Sequence, residues 1–232
     1  MTPGDAATRA PPLAVDIDGT LTDERRAIDP RALGVLQEWD APVVVTTGKA
    51  FPYPVALCEF AARPGLVVAE NGGVVYVEPT GEVVHRGDPD AALAVADAYE
   101  EAGYDLGWGD ADFVNRWRET EVAVSRESPL EPLAVIAADH GLEVVDTGFA
   151  YHIKSPDVSK GQGLATVADR LDLTTDAFLA VGDSENDVST FERAGRSVAV
   201  ANADDRALAA ADEVTDAAYA EGFLEAVAPF RE

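Results

Sequence analysis

The sequence predicts an α/β fold: a doubly wound parallel sheet into which a smaller α+β domain is inserted. Three observations carry that expectation. Short, wholly apolar runs such as Leu13–Val15, Val43–Val45 and Phe178–Val181 have the continuous hydrophobicity of strands covered on both faces. They alternate with segments of helical period, the order of a parallel sheet with crossover helices. Between about residues 79 and 155 this alternation gives way to a mixture of strands and helices.

In chain order, Leu13-Ala14-Val15-Asp16-Ile17-Asp18-Gly19-Thr20 is a buried strand that stops at two aspartates, a glycine and a threonine. Strand ends of this kind face the crevice where α/β proteins hold ligands. Two carboxylates there can present one side chain and a neighbouring carbonyl to a hard cation such as Mg²⁺, leaving the second side chain for proton transfer. The plainer reading is a strand ending in an Asp-Gly turn. Asp29-Pro30 caps a helix reaching about Trp39. Pro42 opens a second strand that ends in Thr47-Gly48-Lys49, where a hydroxyl and converging loop amides suit a phosphate and equally suit a strand-to-helix turn capped by Thr47. A helix near 53–62, a strand at Leu66–Ala69 and a second at Val74–Val77 follow, and Asn71-Gly72 between the two strands marks a hairpin with Asn71 as a turn residue.

Residues 79–155 are expected to form the inserted domain, hinged at Pro79-Thr80-Gly81 and Ser155-Pro156. The core then comprises residues 13–78 and 156–232, and residues 1–12 form a disordered leader. Trp108 and Trp117 are expected to pack within the insert. Beyond the second hinge, Lys160 stands at a helix start, where the macrodipole disfavours a cation. That misfit suggests a bound anion, against the alternative of a solvated surface lysine. The last site-bearing strand runs into Gly182-Asp183-Ser184-Glu185-Asn186-Asp187. Asp16, Asp18, Asp183 and Asp187 in one crevice would repel one another strongly without a divalent cation among them.

The chain has 232 residues, 47% of them apolar, enough for a substantial core. Its 43 acidic and 17 basic residues leave a formal net charge of −26, which argues against nucleic acid or an anionic membrane surface as a partner. Only three of the basic residues are lysines: Lys49, Lys154 and Lys160. An acidic, lysine-poor surface is similar to those of proteins from salt-loving microbes, and GC-rich coding would favour the same residues. The single cysteine, Cys58, has no disulfide partner and points to a reduced, cytoplasmic setting. No stretch approaches the ~18 apolar residues of a membrane span.

Asp16-Ile17-Asp18-Gly19-Thr20, the strand ending in Thr47-Gly48, Lys160-Gly161 and Gly182-Asp183-x-x-Asn186-Asp187 occur in an order that resembles the haloacid dehalogenase superfamily of phosphohydrolases. The resemblance spans the chain and implies a Rossmann-like core with a cap inserted between the second and third motifs. It is closest in wording to the Cof-type phosphatases, and within them, through the short cap and Val158-Ser159-Lys160-Gly161, to archaeal phosphoglycolate phosphatases. Lys49 departs from both groups, standing where an Arg or an Asn is expected.

The resemblance implies that Asp16 is the nucleophile and Asp18 the acid and base of a two-step phosphoryl transfer through an aspartyl-phosphate. It implies Thr47, Gly48 and Lys160 on the phosphoryl oxygens, with Asn186 orienting the phosphate. Mg²⁺ would be held by the Asp16 carboxylate, the Asp18 carbonyl, Asp183 and Asp187. The expected substrate is a small phosphate monoester, most simply 2-phosphoglycolate, with Lys49, Lys154, Arg116 or Arg118 receiving its carboxylate; a sugar phosphate is the alternative. A signalling receiver domain also uses a phosphorylated Asp, but it is about half this length, lacks a cap and carries its acidic pair elsewhere. A silent binding protein on the same fold should have lost an aspartate. The partner expected is a small-molecule phosphate ester, with no nucleic acid, no membrane and at most a second copy of the chain as a homodimer.

The excess negative charge makes stability salt-dependent, because exposed carboxylates repel across a Debye length that shrinks from ~30 Å at 0.01 M to ~3 Å at 1 M. The melting temperature should rise between dilute buffer and molar KCl. A calorimetric scan showing no rise would remove the salt-adapted reading.

Overall fold

The computed structural model describes residues 10–231. An eight-stranded sheet forms the core. Its strands are β1 (Leu13–Asp16), β2 (Val43–Thr46), β3 (Leu66–Ala69), β4 (Val74–Val77), β5 (Glu82–His85), β9 (Leu179–Gly182), β10 (Arg196–Ala199) and β11 (Glu213–Val214). They lie in the order β11-β10-β9-β1-β2-β3-β4-β5, parallel from β11 to β3 and antiparallel across β3, β4 and β5.

The apolar runs form central strands because both faces of the sheet are covered. Leu13, Val15, Val43 and Val45 pack with Ala32, Val35 and Leu36 of α1 (Pro30–Glu38), Leu57 and Cys58 of α2 (Pro52–Phe60) and Phe223 and Val227 of α8 (Tyr219–Val227). Ala14, Val44 and Val68 face the other way. They meet Leu164 and Val167 of α5 (Lys160–Arg170), Phe191 of α6 (Val188–Phe191) and Ala207 of α7 (Asp205–Ala210). Successive strand residues alternate between faces. The step from Ala14 to Asp16 therefore leaves Asp16 on the α5 side, where Lys160 begins that helix.

A separate three-stranded antiparallel sheet, β6-β8-β7, is built from β6 (Val122–Ser125), β7 (Glu143–Asp146) and β8 (Ala150–Lys154). On one face Val122, Val124 and Ile153 bury against Val95 and Tyr99 of α3 (Pro89–Glu101) and Leu133 and Ala137 of α4 (Leu130–Asp139). The opposite parity, with Glu121, Ala123, His152 and Lys154, belongs to the helix-free face, which lies over the core crevice. Trp108 packs within this unit as expected, stacking on Phe149 at 5.6 Å and donating to the Ala123 carbonyl. Trp117 lies at the edge of the unit, 41% exposed, tilted on Phe113 of the insert at 6.0 Å and edge to face with Tyr53 of the core at 6.4 Å.

Two expected boundaries are corrected. Residues 79–85, assigned to the insert, belong to the core sheet through Glu82–His85, because the segment turns at Gly81 (φ +68°) and pairs back along β4. The chain leaves the core only after His85. Of the leader, residues 1–9 lie outside the described residues, but residues 10–12 are not disordered. Ala10 packs on the core, the Trp39 indole donates to the Pro11 carbonyl at 2.8 Å, and Leu179 N donates to the Pro12 carbonyl. Among the described residues no helix is long and apolar enough to cross a membrane.

The start of α5 is pressed against α6. A Cβ built on Gly161 would come within 2.0 Å of the Ser189 carbonyl oxygen, so glycine is needed to seat Lys160 at its depth. Gly161→Ala should destabilise the fold by about 1–3 kcal/mol through overpacking, readable as a lower urea midpoint. An unchanged midpoint would mean that the two helices tolerate separation.

Candidate active site

The carboxyl ends of β1, β2 and β9 lie side by side at the centre of the sheet, and their side chains converge. Asp16 is 4% exposed, Asp187 2% and Lys160 0%. The Lys160 ammonium donates to Asp16 Oδ1 and to Asp187 Oδ1, each at 2.7 Å. Lys160 is thus no surface cation. Ser159 caps its helix by accepting from Gln162 N, and the charge is neutralised by carboxylates from two other elements.

Asp183, Asp187 and Asp16 form a group whose ligand atoms all lie within 4.8 Å of one another. The turn after β9 sets the spacing. The Asp183 and Ser184 backbone amides donate to Asp187 Oδ2, while Ser184 and Asp187 close a capping box. Gly19 (φ +80°) admits Asp183 to the cluster, since a Cβ at position 19 would sit 2.0 Å from Asp183 Oδ2. Burial pushes the Asp183 carboxyl up to about 9, with Asp16 and Asp187 adding to the effect. Burial likewise raises Asp16 to about 7, against the opposing pull of Lys160. Lys160 itself is held above the usual lysine range, because Asp16 and Asp187 outweigh its burial. One ammonium does not balance this many buried carboxylates. An all-oxygen donor set short of positive charge fits a hard divalent cation.

Asp18 stands at the mouth, its side chain 31% exposed and paired through Oδ2 with Lys49 Nζ at 3.0 Å. Thr47 is buried, and its hydroxyl accepts from Lys49 N. A narrow cleft brings Asp16, Asp18, Thr47, Gly48, Lys49 and Asn186 together with Arg118, Thr147, Phe149 and His152 of the inserted domain. That domain therefore roofs the site.

Asn71 occupies the turn between β3 and β4 at φ +55°, as expected, but its side chain is buried and does more than turn the chain. Its Oδ1 accepts from Asn186 Nδ2 and its Nδ2 donates to Glu121 Oε2, both at 2.9 Å. Glu121 also accepts from His152 Nδ1 at 2.7 Å and from Arg118, whose Nη1 donates to the Gly48 carbonyl as well. Burial works against the Glu121 charge, yet His152 and Arg118 hold its carboxyl below the usual range. Glu121 and His152 were not anticipated. Their signal in the sequence is a lone Glu beside Val122-Ala123-Val124 and a lone His between Tyr151 and Ile153, polar residues at inward positions of otherwise apolar strands.

Two expected carboxylate receptors are committed elsewhere. Lys49 is paired with Asp18, and Lys154 donates to Glu143 at 2.5 Å and to the Val158 carbonyl at 2.6 Å. Arg116 lies over the Trp117 ring.

The profile of the family described as haloacid dehalogenase-like hydrolase matches residues 140–227. A protein named phosphoglycolate phosphatase from Natronomonas pharaonis is 62% identical over 216 residues, covering 93% of this chain and 96% of that protein. The chain belongs to the haloacid dehalogenase-like hydrolases. A protein of the same name from Haloarcula marismortui is 61% identical over 222 residues, covering 96% of this chain and 98% of its own. The crystal structure titled Thermoplasma acidophilum 0175 superposes with a TM-score of 0.81 at 24% identity, covering 95% of this chain and 98% of that one, a likeness of fold. The strands and helices that carry the hydrolase's aspartates thus sit in the fold the four motifs imply.

Because Lys160 is fully buried between two carboxylates, its loss should cost stability as well as activity. In metal-free protein Lys160→Ala should lower unfolding free energy by about 3–5 kcal/mol, the penalty for stranding a buried charge. A denaturation curve matching the parent's would show that the pair is not stabilising.

Proposed function

We propose that this hydrolase removes the phosphoryl group from 2-phosphoglycolate, releasing glycolate and phosphate, with Mg²⁺ as its cation and the cytoplasm as its compartment. The observation that carries the reading is the convergence of Asp16, Asp18, Lys160, Asp183 and Asp187 beneath a narrow cleft roofed by the inserted domain, which suits a compact ester. The relatives named phosphoglycolate phosphatase cover nearly the whole chain and support the same substrate. Beside the cleft lies a wider groove of about 500 Å³ walled by Ile17, Tyr53, Leu57, Phe60 and Trp117. Most of that wall is apolar and its polar groups, Asp18, Thr22, Arg26 and Lys49, are few for a hydroxyl-rich sugar.

Asp16 Oδ1 or Oδ2 attacks phosphorus, and the bond to the glycolate oxygen breaks as Asp18 gives that oxygen a proton. Asp18 then takes a proton from water, whose oxygen attacks the aspartyl-phosphate and regenerates Asp16. Lys160, already on Asp16, supplies fixed positive charge to the transferring oxygens, and Thr47, Gly48 and Asn186 border the place they occupy. The Asp18 carbonyl and the Asp16, Asp183 and Asp187 carboxylates would hold the cation, which supplies charge neutralisation for the phosphoryl group. Lys49 orients Asp18 from the solvent side.

Asp16→Asn preserves shape but removes the nucleophile, so phosphate release should fall by several orders of magnitude. Retention of a tenth of the parent rate would exclude the covalent route. Against a panel of monoesters, phosphoglycolate should show the highest kcat/KM. Hexose phosphates better by tenfold, about 1.4 kcal/mol of transition-state preference, would transfer the assignment to sugar phosphates.

A further inference from the structure

We infer that Arg118, seconded by His152 and fixed in place by Glu121, forms the receptor for the carboxylate of the leaving group, so that the inserted domain selects acidic esters. The inference rests on the phosphoglycolate reading and adds to it the residues that would recognise the acid.

Arg118 is nearly sealed from solvent, its side chain 4% exposed, yet its hydrogen-bonding capacity is only part used. Nη1 carries both its bonds, to the Gly48 carbonyl at 2.9 Å and to Glu121. Nε is buried and has no partner among the described residues. A guanidinium has five donors in a planar fork suited to a carboxylate, and a buried donor left without a partner is costly. Nε is sealed within the protein, so a ligand would meet the guanidinium on the edge that lines the cleft.

Its position is the one the substrate requires. In phosphoglycolate only an ester oxygen and one carbon separate phosphorus from the carboxyl carbon, so the acid must be received within the cavity that holds the phosphoryl group. The bond to the Gly48 carbonyl sets Arg118 against the phosphate loop itself, and Arg118, His152, Asp16 and Asp18 line the same cleft. Of the other candidate cations, Lys154 is engaged by Glu143 and the Val158 carbonyl, Arg116 lies over the Trp117 ring, and Lys49, at the mouth of the same cleft, is drawn to Asp18.

Glu121 explains how the receptor is held rigid. Its carboxylate, 1% exposed, is shared by Arg118, His152 Nδ1 and Asn71 Nδ2, three donors from three parts of the chain. The bond at Nδ1 fixes the imidazole orientation, and it is the doubly protonated ring that presents Nε2–H as a donor to a carboxylate. Thr147 lines the same cleft and adds a hydroxyl. Glu121 is accordingly a positioning residue, while Arg118 and His152 touch the substrate.

The test compares phosphoglycolate with ethyl phosphate, which has the same backbone without the acid, in the Mg²⁺-loaded enzyme. The parent should prefer phosphoglycolate. Arg118→Lys keeps the charge but loses the planar fork, and should lower kcat/KM for phosphoglycolate by about 10- to 100-fold, chiefly through KM. Arg118 also holds the Gly48 carbonyl, so ethyl phosphate turnover should fall too, but by a factor at least about tenfold smaller, and the ratio of the two kcat/KM values is the readout. If Arg118→Lys does not fold, His152→Gln, which can still donate to Glu121, should show the same selective loss. An equal loss on both esters, or a retained preference for the acid, overturns the inference while leaving the phosphoglycolate reading intact. A parent enzyme with no preference for phosphoglycolate would overturn the underlying reading instead.

Discussion

A lysine ammonium with no exposed surface, held between two aspartates, is the constraint around which the core is arranged. A buried charge is tolerated only with well-placed partners. Each partner here comes from a different element: Asp16 from the end of β1, Asp187 from the turn after β9 and Lys160 from the first turn of α5. The glycines at 19 and 161 allow the approach, since a Cβ at either would clash within about 2.0 Å. The central position of β1, flanked by β2 and β9, then follows from the need to bring all three strand ends to one crevice.

The same constraint prepares the chemistry. Carboxylates that burial forces toward the protonated form are poor ligands and poor nucleophiles until positive charge arrives. Lys160 meets part of that demand and a divalent cation would meet the rest. Asp18, half in solvent and tethered to Lys49, lies outside this tightly packed group. The separation suits two roles: Asp16 deep and fixed for attack, Asp18 at the mouth where water and the leaving group exchange.

A second buried polar network fastens the roof to the floor. Glu70, fully buried at the β3 to β4 turn, accepts from the Glu119 and Thr120 amides and the Thr120 hydroxyl. Its neighbour Asn71 joins Asn186 of the core to Glu121 of the inserted domain. Burial, and then Glu121, raise the Glu70 carboxyl, while the Thr120 and Glu119 bonds oppose them. Such fully connected polar clusters specify one arrangement more sharply than apolar contact does. Here the result is a cleft of defined shape.

Sequence alone determined the strands, the crevice they open on and the aspartates that gather there. Each is a local pattern: an apolar run long enough for one strand, stopping at Asp, Gly or Thr. The Asn71 turn and the helix beginning at Lys160 were legible for the same reason. What only the tertiary structure decided is which side chains meet. Lys160 finds Asp16 across 144 positions of sequence, and Asn71 finds Glu121 across 50. No local pattern encodes such a pairing, because it depends on strand order and on how the inserted domain seats. The sequence places residues 82–85 in the insert, whereas the structure pairs them with β4 of the core, since register belongs to the pair and not to either strand. The fates of Lys49, Lys154 and Arg118 were undecided likewise. Each is a cation able to meet a carboxylate, and only the folded chain pairs Lys49 with Asp18 and Lys154 with Glu143 and sets Arg118 between Glu121 and the Gly48 carbonyl.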